Sequence, residues 1–339
     1  MKKIILALAV LLSVHVAGAQ TKAIDDAKKA VEAAKAASQD AKKATKVATW
    51  LKLAEAYVEA YNAPAGSAWV GASKTELQLI MAKERPFSAE EVVVGGEPLM
   101  KESYTARDYY FTPAGQLVMI VVTQPAYADA LDQALEAYKK AYEVDTKKSK
   151  IKEITTGIET VSKKFYEDGM NYYSLGDYAK AADLFAKAFE ASVAEPFATP
   201  NKDALYNAGF TALASGDVNL AKNYFEQCVS HNFYYENGEV FAKLGEIYAS
   251  LEQPEKAREV LEQGFIKFPQ SQSILIGLIN YYLENKQDPA RLFELIDLAK
   301  QNEPNNASLY YVEGNINKEL GKNEEAIAAY YKCADINPE

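Results

Sequence analysis

The stretch Ala307–Pro338, ASLYYVEGNINKELGKNEEAIAAYYKCADINP, decides how the rest of the chain is read. Tyr310, Gly314 and Asn317 share one face of a first helix. Ala326, Tyr330 and Cys333 share one face of a second, at the i, i+4, i+7 spacing of helical burial. Gly321-Lys322-Asn323 breaks the pattern between them. The stretch therefore predicts two amphipathic helices joined by a tight turn.

The same grammar recurs upstream. In the first helices Gly169, Gly209, Gly245, Ile279 and Gly314 stand 40, 36, 34 and 35 residues apart. In the second helices Ala181, Ala221, Ala257, Leu292 and Ala326 stand 40, 36, 35 and 34 apart. Two independent series that agree within a residue define a repeat of about 34 residues. One helix pair cannot bury its apolar stripe alone, so such pairs must stack. Small residues where paired helices touch, an aromatic late in the second helix and the closing Pro338 resemble the tetratricopeptide repeat family. The resemblance covers roughly residues 47–61 and 126–338. It implies a mostly α fold, an α-solenoid of helix pairs that binds other polypeptides on its concave face.

In that family the second, fifth, ninth and twelfth positions of each first helix line the concave surface. Carried over, the resemblance implies Lys163, Tyr166, Met170 and Tyr173, then Asp203, Tyr206, Phe210 and Leu213. Further along it implies Glu239 and Glu246, then Ile276, Asn280 and Leu283, and finally Tyr311, Asn315 and Lys318. The family's clamp for a C-terminal carboxylate needs Lys, Arg and Asn at several of these points, and Tyr166 and Met170 occupy two of them. The expected trough is aromatic and aliphatic at its N-terminal end and polar and acidic further on, suited to an apolar or amphipathic segment. The reading left open beside it is that Tyr206 and Phe210 pack against the neighbouring repeat.

Residues 1–19 read as a secretory signal peptide. Lys2 and Lys3 lead an apolar run, and Ala17-Gly18-Ala19 forms a small-residue cleavage site before Gln20. No cysteine follows those small residues, so a lipoprotein signal is not expected, and the mature chain is expected to be exported to a periplasm. Residues 20–46 predict a helix, with Ala27, Ala30, Ala34 and Ala37 as its small-residue stripe, that covers the open N-terminal end of the repeats.

Trp50, Leu53, Ala54 and Tyr57 repeat the first-helix pattern, but the matching second helix comes only with Ala134, Tyr138 and Ala141. The first repeat is therefore read as split, over 47–61 and 126–146, by an insert at 62–125. In the insert, Ser73-Lys74-Thr75-Glu76 is a capping box opening a short helix to about Lys83. Val92–Val94, Ser103–Phe111 and Leu117–Thr123 predict an antiparallel meander, with a turn at Thr112-Pro113-Ala114-Gly115. Leu117–Val122 is apolar without alternation, which predicts a strand covered on both faces. Four further repeats fill 150–339, and Asp168 stands where the family usually has leucine. The chain stops soon after a second helix with no polar capping helix beyond it. A longer parent protein, or a last repeat that docks on another molecule or on a second copy, is the expectation.

Chemistry is not written in the sequence. His231 is the only histidine outside the leader, which argues against multi-histidine metal sites and Ser-His or Cys-His pairs. No phosphate loop, dinucleotide fingerprint or nucleophile elbow occurs. Cys228 and Cys333 occupy the same repeat position as Ala188 and Ala299, and so read as small core residues. The formal charge of −10, with no basic patch, argues against nucleic acid or an anionic membrane as partner, and no later stretch is apolar enough to cross a bilayer. A non-enzymatic adaptor without cofactor or metal, binding a protein or peptide, is the function expected. The alternative is an exported enzyme or carbohydrate-binding protein with its site in the insert at 63–125.

Overall fold

The computed structural model describes residues 22–81, 84–285 and 288–337. The leader, the predicted helix end at Lys83 and the closing Pro338 lie outside the described residues. The chain divides after Ser215 into two compact units.

The first unit opens with helix α1 (residues 22–39) and α2 (Val47–Asn62), followed by a 3₁₀ turn at Ala63–Ala65. Next come α3 (Lys74–Met81), four strands, α4 (Ala130–Val144), α5 (Ile151–Ser174), α6 (Tyr178–Val193) and α7 (Lys202–Ala214). Helix α2 packs along α4 although the insert separates them, and α4 on α5, α5 on α6 and α6 on α7 continue the stack. On α1 the buried residues are Ala27 and Val31; Ala30, expected in the small-residue stripe, is exposed.

The second unit holds α8 (Val218–Ser230), α9 (Glu239–Ser250), α10 (Pro254–Lys267), α11 (Gln272–Glu284), α12 (Pro289–Asn302), α13 (Ala307–Glu319) and α14 (Asn323–Ile336). Each packs on its successor, and α9 also meets α11. This is the mostly α, helix-pair architecture that the period implied.

The packing gives the period its physical reason. A Cβ added at Gly169 would meet the Phe185 ring at 2.8 Å, one at Gly245 would meet Leu261 at 2.7 Å, and one at Gly314 would meet Tyr330 at 2.5 Å. In each pair a glycine receives the large side chain sixteen residues on, so the two axes approach closely. In the least faithful repeat, Ile279 takes the glycine's place and Leu292 that of the second helix's alanine, and both are buried. The turns are equally regular. Gly176 (φ 79) donates its N–H to Tyr173, and Asp177 donates to Tyr172 before capping α6 through Lys180 N–H at 3.2 Å. Glu252 takes the glycine's place between α9 and α10 at φ 57.

The insert carries α3 and an antiparallel sheet in the order β1 (Ser88–Val94), β2 (Glu97–Tyr104), β3 (Arg107–Phe111) and β4 (Leu117–Val122). The capping box forms as predicted: Ser73 N–H donates to Glu76 Oε2 at 2.7 Å and Glu76 N–H to Ser73 Oγ at 3.2 Å. Four strands replace the three expected, because Ser103–Phe111 is a hairpin that turns at Thr105-Ala106, with Tyr104 opposite Arg107. That turn holds no Gly, Asn, Asp or Pro, so the sequence runs through it as one strand. One side of the sheet encloses Leu77, Tyr104, Tyr109, Phe111 and Leu117. The other packs Tyr110, Met119 and Val121 against Tyr172 and Leu175 at the end of α5.

A second correction concerns β4, expected to be covered on both faces. Leu117, Met119 and Val121 are buried, whereas Val118 is exposed and Ile120 and Val122 are half-buried. The less buried residues line an opening beside α5.

Candidate functional site: a cleft and an aromatic strip on α5

Four segments enclose a cleft of about 650 Å³ in the first unit. The end of α2 contributes Tyr61 and Asn62, the following loop contributes Trp69 and Val70, and β4 contributes Val118, Ile120 and Val122. Helix α5 supplies the last side with Lys164, Tyr166, Glu167, Asp168, Met170 and Asn171.

The loop is held from inside the insert. Gly66 (φ 77) turns the chain so closely over Arg107 that a Cβ there would lie 2.9 Å from the guanidinium carbon. Arg107 is buried, pairs with Glu84, and lies 4.9 Å from the ring centroids of both Tyr104 and Tyr109. Tyr109 donates its hydroxyl to Ala65 O at 2.6 Å. The carboxylate partner and two aromatic faces offset part of the cost of burying this cation, and the cluster fixes the loop's path. Trp69, 48% exposed, is carried on the loop so fixed.

The polar floor is an ordered set. Tyr61 donates to Asp168 Oδ2 at 2.9 Å. Lys164 Nζ donates to Asn62 Oδ1 at 2.8 Å and lies 5.0 Å from the Tyr61 ring centroid. Asn171 Nδ2 donates to Ile120 O at 3.2 Å, tying α5 to β4. Burial pushes the Asp168 carboxyl up to about 6, against the pull of Tyr61 and Lys164 toward the charged form. Burial, with the Asp168 charge second, also raises the Tyr61 phenol above its ordinary value.

The predicted groove residues of this unit lie on the same helix and its neighbour. Met170, Tyr173 and Phe210 are 37–40% exposed, and the Tyr173 and Phe210 rings meet edge-on at 6.3 Å. Tyr206 stacks on Phe210 at 6.5 Å but is only 8% exposed, so it supports the strip from beneath rather than offering surface. Tyr166 is half-buried against the Phe185 ring at 5.3 Å and accepts from Asn207 at 3.3 Å. Lys163 is exposed and paired with Glu159; Asp203 is exposed and Leu213 half-buried.

In the second unit, Glu246 is exposed and paired with Lys243, Ile276 and Asn280 are exposed, and Leu283 is half-buried. Tyr311 is exposed with its ring 6.0 Å from Tyr330, Asn315 accepts from the Tyr330 hydroxyl at 2.8 Å, and Lys318 is exposed. His231 ends α8 on the surface, stacked 5.5 Å from Phe233. Cys228 is buried and Cys333 half-buried, both as free thiols. Among the described residues no group of three His, Cys, Asp or Glu side chains is placed to hold a metal ion, and no helix is long and apolar enough to cross a membrane.

Tyr61, Trp69 and Asp168 were not among the residues expected to form a site. Asp168 carried a signal, since it replaces a packing leucine; Trp69 carried none.

A tetratricopeptide repeat family model matches residues 202–232, 238–265 and 307–339. A BBSome complex member BBS4 homolog of Drosophila melanogaster is 25% identical over 184 residues, 52% of this chain and 37% of that protein's length. Among solved structures, YrrB, described as a tetratricopeptide protein with an unusual peptide-binding site, is 21% identical with a TM-score of 0.41, covering 60% of this chain and 94% of its own. A MamA crystal structure is 16% identical with a TM-score of 0.45, covering 52% and 92%.

Proposed function

We propose, from the premise that this chain is a tetratricopeptide repeat protein, that it is an exported scaffold binding a polypeptide segment along the exposed first-helix face of its first unit. The observation that carries this is the strip of Met170, Tyr173 and Phe210. Three large apolar side chains share one surface, each more than a third exposed, on a pair of buttressed helices. Rigid aromatics of this kind lose little entropy on binding and act as interface anchors. In the second unit, Ile276 and Tyr311 are exposed at the fifth first-helix position, the one that Tyr166 and Tyr206 hold in the first unit.

The test is the double variant Tyr173→Ala, Phe210→Ala, with crosslinked partners captured from intact cells and their affinity measured by titration. Loss of at least about 2 kcal/mol with unchanged circular dichroism supports the reading, and full retention of the partner defeats it. Export is part of the same proposal and rests on the leader at residues 1–19. It predicts a mature N-terminus at Gln20, readable by intact-mass spectrometry.

The cleft gives a second reading some footing, that of an enzyme or carbohydrate-binding protein with its site at the insert. Its polar groups converge, yet Tyr61 is engaged with Asp168, Lys164 with Asn62 and Asn171 with β4. Among the described residues the lining holds no Ser, Cys or His to pair as nucleophile and base, which favours the binding reading. Oligosaccharides that quench Trp69 fluorescence on titration would revive this alternative.

A further inference from the structure

We infer that the cleft between the insert and α5 is an anchor pocket for a bulky apolar side chain of the bound polypeptide lying next to a lysine or arginine. This deepens the polypeptide-binding reading and rests on it. Met170 belongs both to the exposed strip and to the cleft, so a segment lying on Tyr173 and Phe210 runs over it into the opening.

The cleft's size falls in the range that encloses a few side chains. Its apolar side is unusually open, since Trp69, Val70 and Val118 are all exposed. An apolar side chain seated there would cover them.

The charge requirement comes from the floor. Asp168 and Glu167 both line the cleft, and neither has a cation within salt-bridge distance among the described residues. Tyr61 occupies Oδ2 of Asp168, and Oδ1 accepts no hydrogen bond there. Lys164 is the lysine in the lining, and Asn62 and the Tyr61 ring hold it to the α2 side. A cation entering beside Asp168 would meet a carboxylate already out of bulk water, where the attraction is stronger than on an open surface. An anion would meet two carboxylates.

The experiment pans a phage-displayed random dodecapeptide library against the full chain and measures the selected peptides by titration. The inference expects selected sequences enriched in Leu, Phe or Trp beside Lys or Arg. It expects Asp168→Asn with Glu167→Gln to weaken them about tenfold at 50 mM salt, with the wild-type affinity falling as salt rises and the variant's much less. Trp69→Ala should also weaken them, with folding checked by circular dichroism.

Peptides without a cation, or peptides indifferent to the paired charge-neutral variant, overturn the anchor pocket. If those peptides are still lost with Tyr173→Ala, Phe210→Ala, the broader polypeptide-binding reading survives that result. A library that yields no binder overturns both.

Discussion

Replacing Asp168 by Asn should make the protein more stable at neutral pH, which is the reverse of the usual cost of altering a hydrogen-bonded carboxylate. Asp168 is partly buried, and its carboxyl is raised from an ordinary 3.8 to about 6. Below pH 3.8 it is protonated whether the chain is folded or not, and contributes nothing. Between about 4 and 6 the folded state holds the proton that the unfolded state releases, so this group's contribution falls as pH rises. Above about 6 the folded chain carries a desolvated charge. The gap between the two values corresponds to about 3 kcal/mol at most, and about 1–2 kcal/mol after allowing for solvent access. Asn keeps an oxygen to accept from Tyr61 and removes the charge. Both tryptophans, Trp50 and Trp69, lie in the first unit, so their fluorescence during urea unfolding follows the unit that holds the site. The expected result is a variant more stable than wild type at pH 7.5, with the difference shrinking toward zero at pH 4. A variant that is less stable at pH 7.5, or a difference that does not move with pH, refutes the reasoning.

Three further outcomes follow from the packing. Gly245→Ala places a Cβ 2.7 Å from the buried Leu261 and should cost about 1–2 kcal/mol, since overpacking outweighs the helix propensity gained; thermal unfolding measures it. Glu252→Gly should stabilise by about 1 kcal/mol by relieving a left-handed residue at φ 57, a gain that denaturant titration would show. Burial pushes the Cys228 thiol up to about 12, so under native conditions iodoacetamide should label half-buried Cys333 well before Cys228, as peptide mass spectrometry would resolve.

The repeats were legible because their determinant is local: a glycine and the large side chain it receives lie sixteen residues apart within one helix pair. The capping box at Ser73 was legible for the same reason. The turn at Thr105-Ala106 was not, because its residues carry no turn chemistry and pairing alone folds the hairpin there. β4 misled in a useful way. A run of apolar residues signals something to be covered, but not whether the cover belongs to the same chain. The cleft was least legible, since Tyr61 and Asp168 meet across 107 positions and only the folded insert brings the third side to them. The substitution of an aspartate for a packing leucine was its one trace in the sequence.

The split between α2 and α4 also sets an order in time. Helices α5 and α6 are joined by three residues, Leu175–Asp177, so their contacts close at once. Between Asn62 and Ala130 there are 67 residues, and closing a loop that much longer adds about 3 kcal/mol of chain entropy. Contacts between α2 and α4 should therefore form late, after the local hairpins downstream. The insert shortens that search. Once its sheet has formed and seated on Tyr172 and Leu175, Tyr109 holds Ala65, and with it the end of α2, beside α5. The segment that interrupts the first repeat thus becomes the splint on which that repeat is assembled.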